Sequence, residues 1–94
     1  MQALNLESFN NKGVEMFEKI DEIIARIEEI RDEIQILLSM GKISFVDYIM
    51  IKRGSMDMPE HLQMAVLGQI NDQVDLLKEQ IDKLNKIKRE MLVF

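Results

Sequence analysis

The chain has 94 residues, which is room for one small domain and for no second core. It contains no cysteine and a single histidine, which excludes disulfides, thiolate metal sites and histidine clusters. Because 17 acidic residues outnumber 12 basic ones, the net charge is −5, and a surface of that sign repels the phosphate backbone of nucleic acids.

The first predicted element is a long helix over about residues 6–39. Apolar residues occupy nine of ten positions that alternate three and four residues apart, which is the pattern of a coiled-coil seam. Gly13 fills the remaining position. The seam residues are Leu6, Phe9, Met16, Ile20, Ile23, Ile27, Ile30, Ile34 and Leu37.

Three further apolar residues, Phe17, Ile24 and Leu38, widen this seam on one flank. A stripe of that width is typical of a helix that touches more than one neighbour. Isoleucine at both kinds of seam position favours bundles of more than two helices. The first helix is therefore expected to pack against more than the rest of its own chain.

The stretch MGKISFVDY, which starts at Met40, resembles the second half of an EF-hand calcium loop. If Gly41 takes the sixth place of such a loop, Asp47 takes the twelfth. The first, third and fifth places then fall on Ile36, Leu38 and Met40, where calcium needs oxygen ligands. We therefore expect no metal site here.

The same stretch predicts a corner followed by a short helix over residues 45–53. Gly41 is expected to end the first helix in the left-handed conformation. Ser44 and Asp47, three residues apart, predict a capping box at the start of the short helix. Gly54 is expected to end that helix.

A second long helix is predicted over about residues 58–92, with Asp57 as its cap and Pro59 in its first turn. Its seam residues are Leu67, Ile70, Val74, Leu77, Ile81, Leu84 and Met91. The predicted fold is all-α. It is a single domain over residues 1–94, a long antiparallel, coiled-coil-like hairpin with a short intervening helix, completed to a bundle by self-association.

Features of enzymes and membrane proteins are missing from the sequence. The acidic pairs fall off the apolar seam, His61 is the one imidazole, and no glycine-rich phosphate loop occurs. No apolar run approaches the roughly 18 residues of a membrane span, and the N-terminus lacks the pattern of a secretory signal. We expect a cytoplasmic protein that is not an enzyme and has no cofactor and no nucleic-acid or membrane partner.

Two sets of apolar residues predict contacts with other chains. Eight methionines are many for this length, and several cluster around the apolar short helix, where adaptable side chains suit varied partners. That helix is expected either to plug the end of the bundle or to form a docking surface. The predicted partner-binding residues are Phe45, Val46, Ile49, Met50, Met56, Met58 and Met64.

The second set is a self-association seam, on which two hairpins are expected to pair as a homodimer with a four-helix core. Its predicted residues are Phe17, Ile24, Ile27, Ile34, Leu38, Val74 and Ile81. The predicted function is a protein-interaction module or small adaptor acting through an apolar helix face. Two alternatives remain open: a small acidic export or assembly chaperone that shields a client helix, and a structural subunit of a phage or filament.

Overall fold

In the computed structural model, the chain consists of three helices joined by short loops. The structure describes the backbone of residues 2–92 and the side chains of residues 13–91. Helix α1 spans Gln2–Gly41, α2 spans Phe45–Arg53 and α3 spans Met64–Leu92. The molecule measures 69 × 23 × 16 Å, which is the shape of a rod built around two long helices.

Helices α1 and α3 form an antiparallel pair. At the end of α1, Gly41 lies against Leu62 and Val66, which precede and begin α3. Near the start of the described side chains, Ile23 lines a groove together with Lys83 from the second half of α3. The predicted all-α hairpin is therefore confirmed.

The core lies at the corner end of this hairpin. Ile30 on α1 and Ile70 on α3 are its most completely buried side chains. Among the described side chains before Ile30 and after Ile70, only Ile23 is buried. The hairpin is thus closely packed at one end and open at the other. The remaining core residues are Ile34, Leu37, Leu38, Ile43, Tyr48, Leu62 and Val66. The seam positions Leu6 and Phe9 lie outside the described side chains.

The end of α1 differs from the prediction. Gly41 is still helical, and it is Lys42 that takes the left-handed conformation, with φ 53°. The Lys42 N–H donates to the Ser39 carbonyl at 3.2 Å, and the Ile43 N–H donates to the Leu38 carbonyl at 3.2 Å. This pair of bonds is a Schellman motif, and it satisfies the last carbonyls of the helix.

Gly41 is instead required by a close contact. A Cβ atom added there would lie 2.8 Å from Cδ1 of Leu62, closer than carbon atoms approach without rearrangement. Leu62 is itself buried, so it has little room to move. The glycine therefore serves packing and not backbone conformation.

The capping box predicted for α2 is confirmed. Ser44 Oγ accepts the Asp47 N–H at 3.0 Å, and Asp47 Oδ2 accepts the Ser44 N–H at 3.2 Å. The Asp47 carboxylate is thus engaged as a helix cap. Gly54 ends α2 with φ 76°, and the Ser55 N–H donates to the Met50 carbonyl at 2.9 Å. The predicted bounds of α2 are also confirmed.

Helix α3 begins at Met64, six residues later than predicted. Asp57 and Pro59 lie in the preceding loop, where the Pro59 carbonyl accepts the Leu62 N–H at 3.1 Å. This turn brings the chain back from α2 and buries Leu62 against Gly41. The packing of Leu62 outweighs the local helix-start signals of Asp57 and Pro59, and the prediction for this boundary was wrong for that reason.

Replacing Gly41 by alanine tests the steric role of this glycine. Alanine raises helix propensity by about 1 kcal/mol, but overpacking a full site costs about 1–3 kcal/mol. We expect Gly41→Ala to lower the free energy of unfolding by about 1 kcal/mol in urea denaturation followed by circular dichroism. Gly68→Ala is the matched control, since nothing lies within 4 Å of a Cβ atom there, and it should stabilise. Equal stabilisation by both changes would contradict the steric role.

Candidate interaction surface

Helix α2 packs across one face of the hairpin, at an angle of 80° to α1. Its inner side carries Tyr48, which is buried and whose hydroxyl donates to Asn71 Oδ1 of α3 at 2.6 Å. Ile49 and Ile51 are partly buried against the same core. The inner side of α2 therefore closes the corner end of the bundle.

Helix α3 shows which face α2 covers. Asn71, Val74, Lys78 and Ile81 follow one another at steps of three and four residues, so they share one flank of α3. Asn71 bonds Tyr48, and Val74 and Lys78 line a groove together with residues of α2. Ile81 is one turn further along this flank, beyond the reach of α2.

A groove on the opposite face of the hairpin identifies, by elimination, the flank of α1 that shares a face with α2. Lys19 and Glu22 line a groove with Lys83 and with other residues from the flank of α3 that faces away from α2. Phe17 and Ile24 lie on the other flank of the α1 seam. They therefore belong to the same face of the hairpin as α2.

We call this uncovered part of the face the open face, and define it by Phe17, Ile24, Ile27 and Ile81. Phe17 is 61% exposed, Ile24 and Ile81 are each 41% exposed, and Ile27 is half-buried. Because Ile23 and Lys83 line one groove, Ile24 and Ile81 are close to the same level of the antiparallel pair. The open face is thus a continuous apolar strip shared by both long helices.

The outer side of α2 is also apolar. Val46 is 64% exposed and Met50 39% exposed, and both point away from the core side that carries Tyr48. Phe45 stacks on Tyr48 with ring centroids 5.9 Å apart. Since a helix is about 10–12 Å across, the outer side of α2 stands above the open face by roughly that height.

A groove of about 370 Å³ runs between α2 and α3, and its edge is basic. Lys52, Arg53 and Lys78 line it, and none of the acidic side chains that the structure describes does. This concentration of cations contrasts with the net charge of −5 of the whole chain. The other lining residues are Phe45, Tyr48, Ile49 and Val74.

The predicted partner-binding residues divide between exposed and buried positions. Phe45, Val46, Met50 and Met64 are exposed, whereas Ile49, Met56 and Met58 are half-buried and Met58 packs against the core. Met64 lies at the start of α3. The structure therefore brings Phe45, Val46 and Met50 together on α2.

The predicted self-association seam is also divided. Ile34 and Leu38 are buried in the core of the single chain, so they offer no surface to a second copy. Val74 lines the groove beside α2, and the remaining four residues form the open face. The sequence interpretation missed a separate exposed patch of Ile36 and Met40, which line a shallow depression of about 450 Å³ on α1. Their four-residue spacing outside the seam was the available signal.

Two observations bear on other kinds of site. Among the described side chains, those of residues 13–91, no group of three or more His, Asp or Glu is arranged to hold a metal ion. Among the same residues no single helix has the length and apolar composition to cross a membrane, and α1 and α2 meet that criterion only jointly, across their 80° bend.

Comparisons with known proteins extend over most of the chain. A family model described as "Protein of unknown function (DUF2443)" matches residues 16–94. Proteins from two strains of Helicobacter pylori are each 51% identical over 79 residues, which is 84% of this chain and 100% of theirs. A crystal structure of a protein of unknown function from Helicobacter pylori has 50% identity and a TM-score of 0.82, covering 85% of this chain and 96% of that one. These similarities support the fold described above.

The bond between Tyr48 and Asn71 predicts a measurable pH dependence. Burial, and secondarily the negative charge of Asp75, raise the pKa of the Tyr48 hydroxyl above its usual 10.0. The folded state therefore holds the phenol proton more tightly than the unfolded state does, so the free energy of unfolding should fall as the pH rises above about 10. Below that pH this contribution is fully present.

In Tyr48→Phe, the part of the fall in the free energy of unfolding at alkaline pH that comes from Tyr48 should be absent. At neutral pH the same change should lower the free energy of unfolding by about 1 kcal/mol, because Asn71 loses its hydrogen-bond donor. Urea denaturation at neutral and alkaline pH compares the two proteins. Tyr48 is the one tyrosine of the chain, so ultraviolet absorbance of the phenolate follows its titration directly. Titration at the ordinary pKa of tyrosine would contradict the assigned environment.

Proposed function

The chain belongs to the DUF2443 family, and we propose that it is a non-enzymatic protein-interaction module whose open face binds a helix of a partner. The observation that carries this proposal is the half-covered face of the hairpin. Helix α2 covers the corner end of the face, and the apolar strip continues beyond it through Ile81, Ile24 and Phe17, all exposed. Apolar strips shared by two long helices are surfaces that bind amphipathic helices.

The size of the surface sets a requirement on the partner. Burying one half-exposed apolar side chain contributes roughly 1 kcal/mol, and association costs an estimated 4–15 kcal/mol. Phe17, Ile24 and Ile81 alone therefore support only a weak complex. A stable complex must also bury Val46 and Met50 on the outer side of α2.

A small assembly chaperone is the second candidate function. The specific observation that favours it is the basic edge of the groove, where Lys52, Arg53 and Lys78 would attract an acidic amphipathic helix of a client. In that case the client helix lies beside α2 on the open face. The interaction module and the chaperone would use the same surface. They differ in that a chaperone releases its client.

Photo-crosslinking in the native host tests this function. A photoreactive amino acid at position 24 on the open face, or at position 46 on α2, should yield covalent protein adducts that mass spectrometry identifies. The matched control is position 36, where Ile36 is 56% exposed but lies outside the open face. We expect no adducts from it. Absence of adducts at 24 and 46, or equal yields from all three positions, would contradict the proposal.

A further inference from the structure

We propose that the helix bound on the open face is α2 of a second copy of this chain. In this homodimer the two-fold axis is perpendicular to the long axis of the hairpin and parallel to the open face. Each copy then places its α2 on the open face of the other. The inference deepens the proposed function and rests on it. It is based on two apolar surfaces on one face of the hairpin. The outer side of α2 is the raised surface, and the open face is the recessed one.

The open face has room for one crossing helix. Since Ile23 and Lys83 line one groove, Phe17, six residues earlier, lies at about the level of Arg89, six residues later. The uncovered strip on α3 therefore runs from Lys78, at the edge of α2, to about Arg89. The 11 steps between these residues span roughly 16 Å at 1.5 Å per residue, and a helix is about 10–12 Å across.

The position of α2 selects the direction of the two-fold axis. If the axis ran along the hairpin, the two α2 helices would meet and would hold the open faces apart by the thickness of a helix. With a perpendicular axis, each α2 faces the uncovered half of the partner hairpin. The two α2 helices then lie side by side in one layer between the hairpins.

Apolar side chains match across this contact. Val46 and Met50 on the outer side of α2 would pack against Phe17, Ile24 and Ile81 of the other copy. All five are exposed in the single chain. Because the contact is isologous it occurs twice, and the dimer buries twice as many of these side chains as one bound client helix would. That doubling brings the buried apolar surface into the range that the cost of association requires.

One pair of opposite charges also lies close in this arrangement. Helix α2 ends with Lys52 and Arg53, both exposed, which line a groove with α3. A two-fold axis that crosses the hairpin keeps the α3 sides of the two copies aligned, so this basic end lies over α3 of the other copy. Asp82 is exposed there next to Ile81, but Lys78 and Arg89 flank it, so the pairing rests on the apolar contacts.

The oligomeric state of the full chain tests the second copy as partner. Light scattering and sedimentation across concentration should show a species of twice 11.0 kDa. Ile24→Glu and Val46→Glu should each raise the dissociation constant at least about tenfold, since each change alters two symmetric contacts. Ile36→Glu should leave the constant unchanged. Circular dichroism must show retained helicity, because these side chains lie outside the core.

Disulfide trapping tests the orientation, and the absence of native cysteine makes the probes unambiguous. A mixture of Val46→Cys and Ile24→Cys proteins should form a mixed disulfide. A mixture of Val46→Cys and Ile36→Cys proteins should not. A disulfide formed by Val46→Cys protein with itself would indicate the parallel arrangement and overturn the proposed axis.

The outcomes separate this inference from the function on which it rests. A chain that stays monomeric at every concentration, yet yields adducts with another protein from position 24, overturns the homodimer and retains the interaction module. A monomer without adducts from positions 24 and 46 overturns both. A dimer that is unaffected by Ile24→Glu and Val46→Glu overturns the assigned surface.

Discussion

The contact of Leu62 with Gly41 is the packing interaction on which the architecture depends. Because Gly41 has no side chain, Leu62 reaches the backbone of α1 and holds the loop after α2 at the end of that helix. His61 Nε2 lies 3.3 Å from the Lys42 carbonyl in the same loop. Together these contacts determine where α3 begins and how it is aligned with α1. They also confine α2 to the corner half of one face.

Local signals in the sequence predicted most of this fold. The errors occur where a contact between residues far apart in the sequence determines the structure. The capping box of Ser44 and Asp47 needs only four residues, so it could be recognised from the sequence. The start of α3 could not, because Pro59 is an ordinary helix-start signal and the burial of Leu62 depends on Gly41, 21 residues earlier. Nothing in the local pattern of this loop, which also contains Met56 and Met58, indicates that Leu62 packs against Gly41.

The candidate surface was likewise predictable only where the local sequence pattern determines it. Periodicity places Leu38 and Ile24 on one flank of α1 but does not tell that α2 covers only the first of them. The sequence also left open whether α2 is a plug or a docking surface. In the structure these are two sides of one nine-residue helix: Tyr48 faces the core and Val46 faces outward. A helix buried on a single side can fulfil both purposes.

The uneven packing of the hairpin has a consequence for its dynamics. Val66 follows Gly41 by only 25 residues, so closing the corner costs little chain entropy, and the best buried side chains, Ile30 and Ile70, lie close to it. We therefore expect the hairpin to form first at the corner and last at the open end. Backbone amides near Phe17 should then exchange with solvent by local opening, and those near Ile30 only on global unfolding. A partner bound on the open face would stabilise the folded form of this less tightly packed half of the molecule.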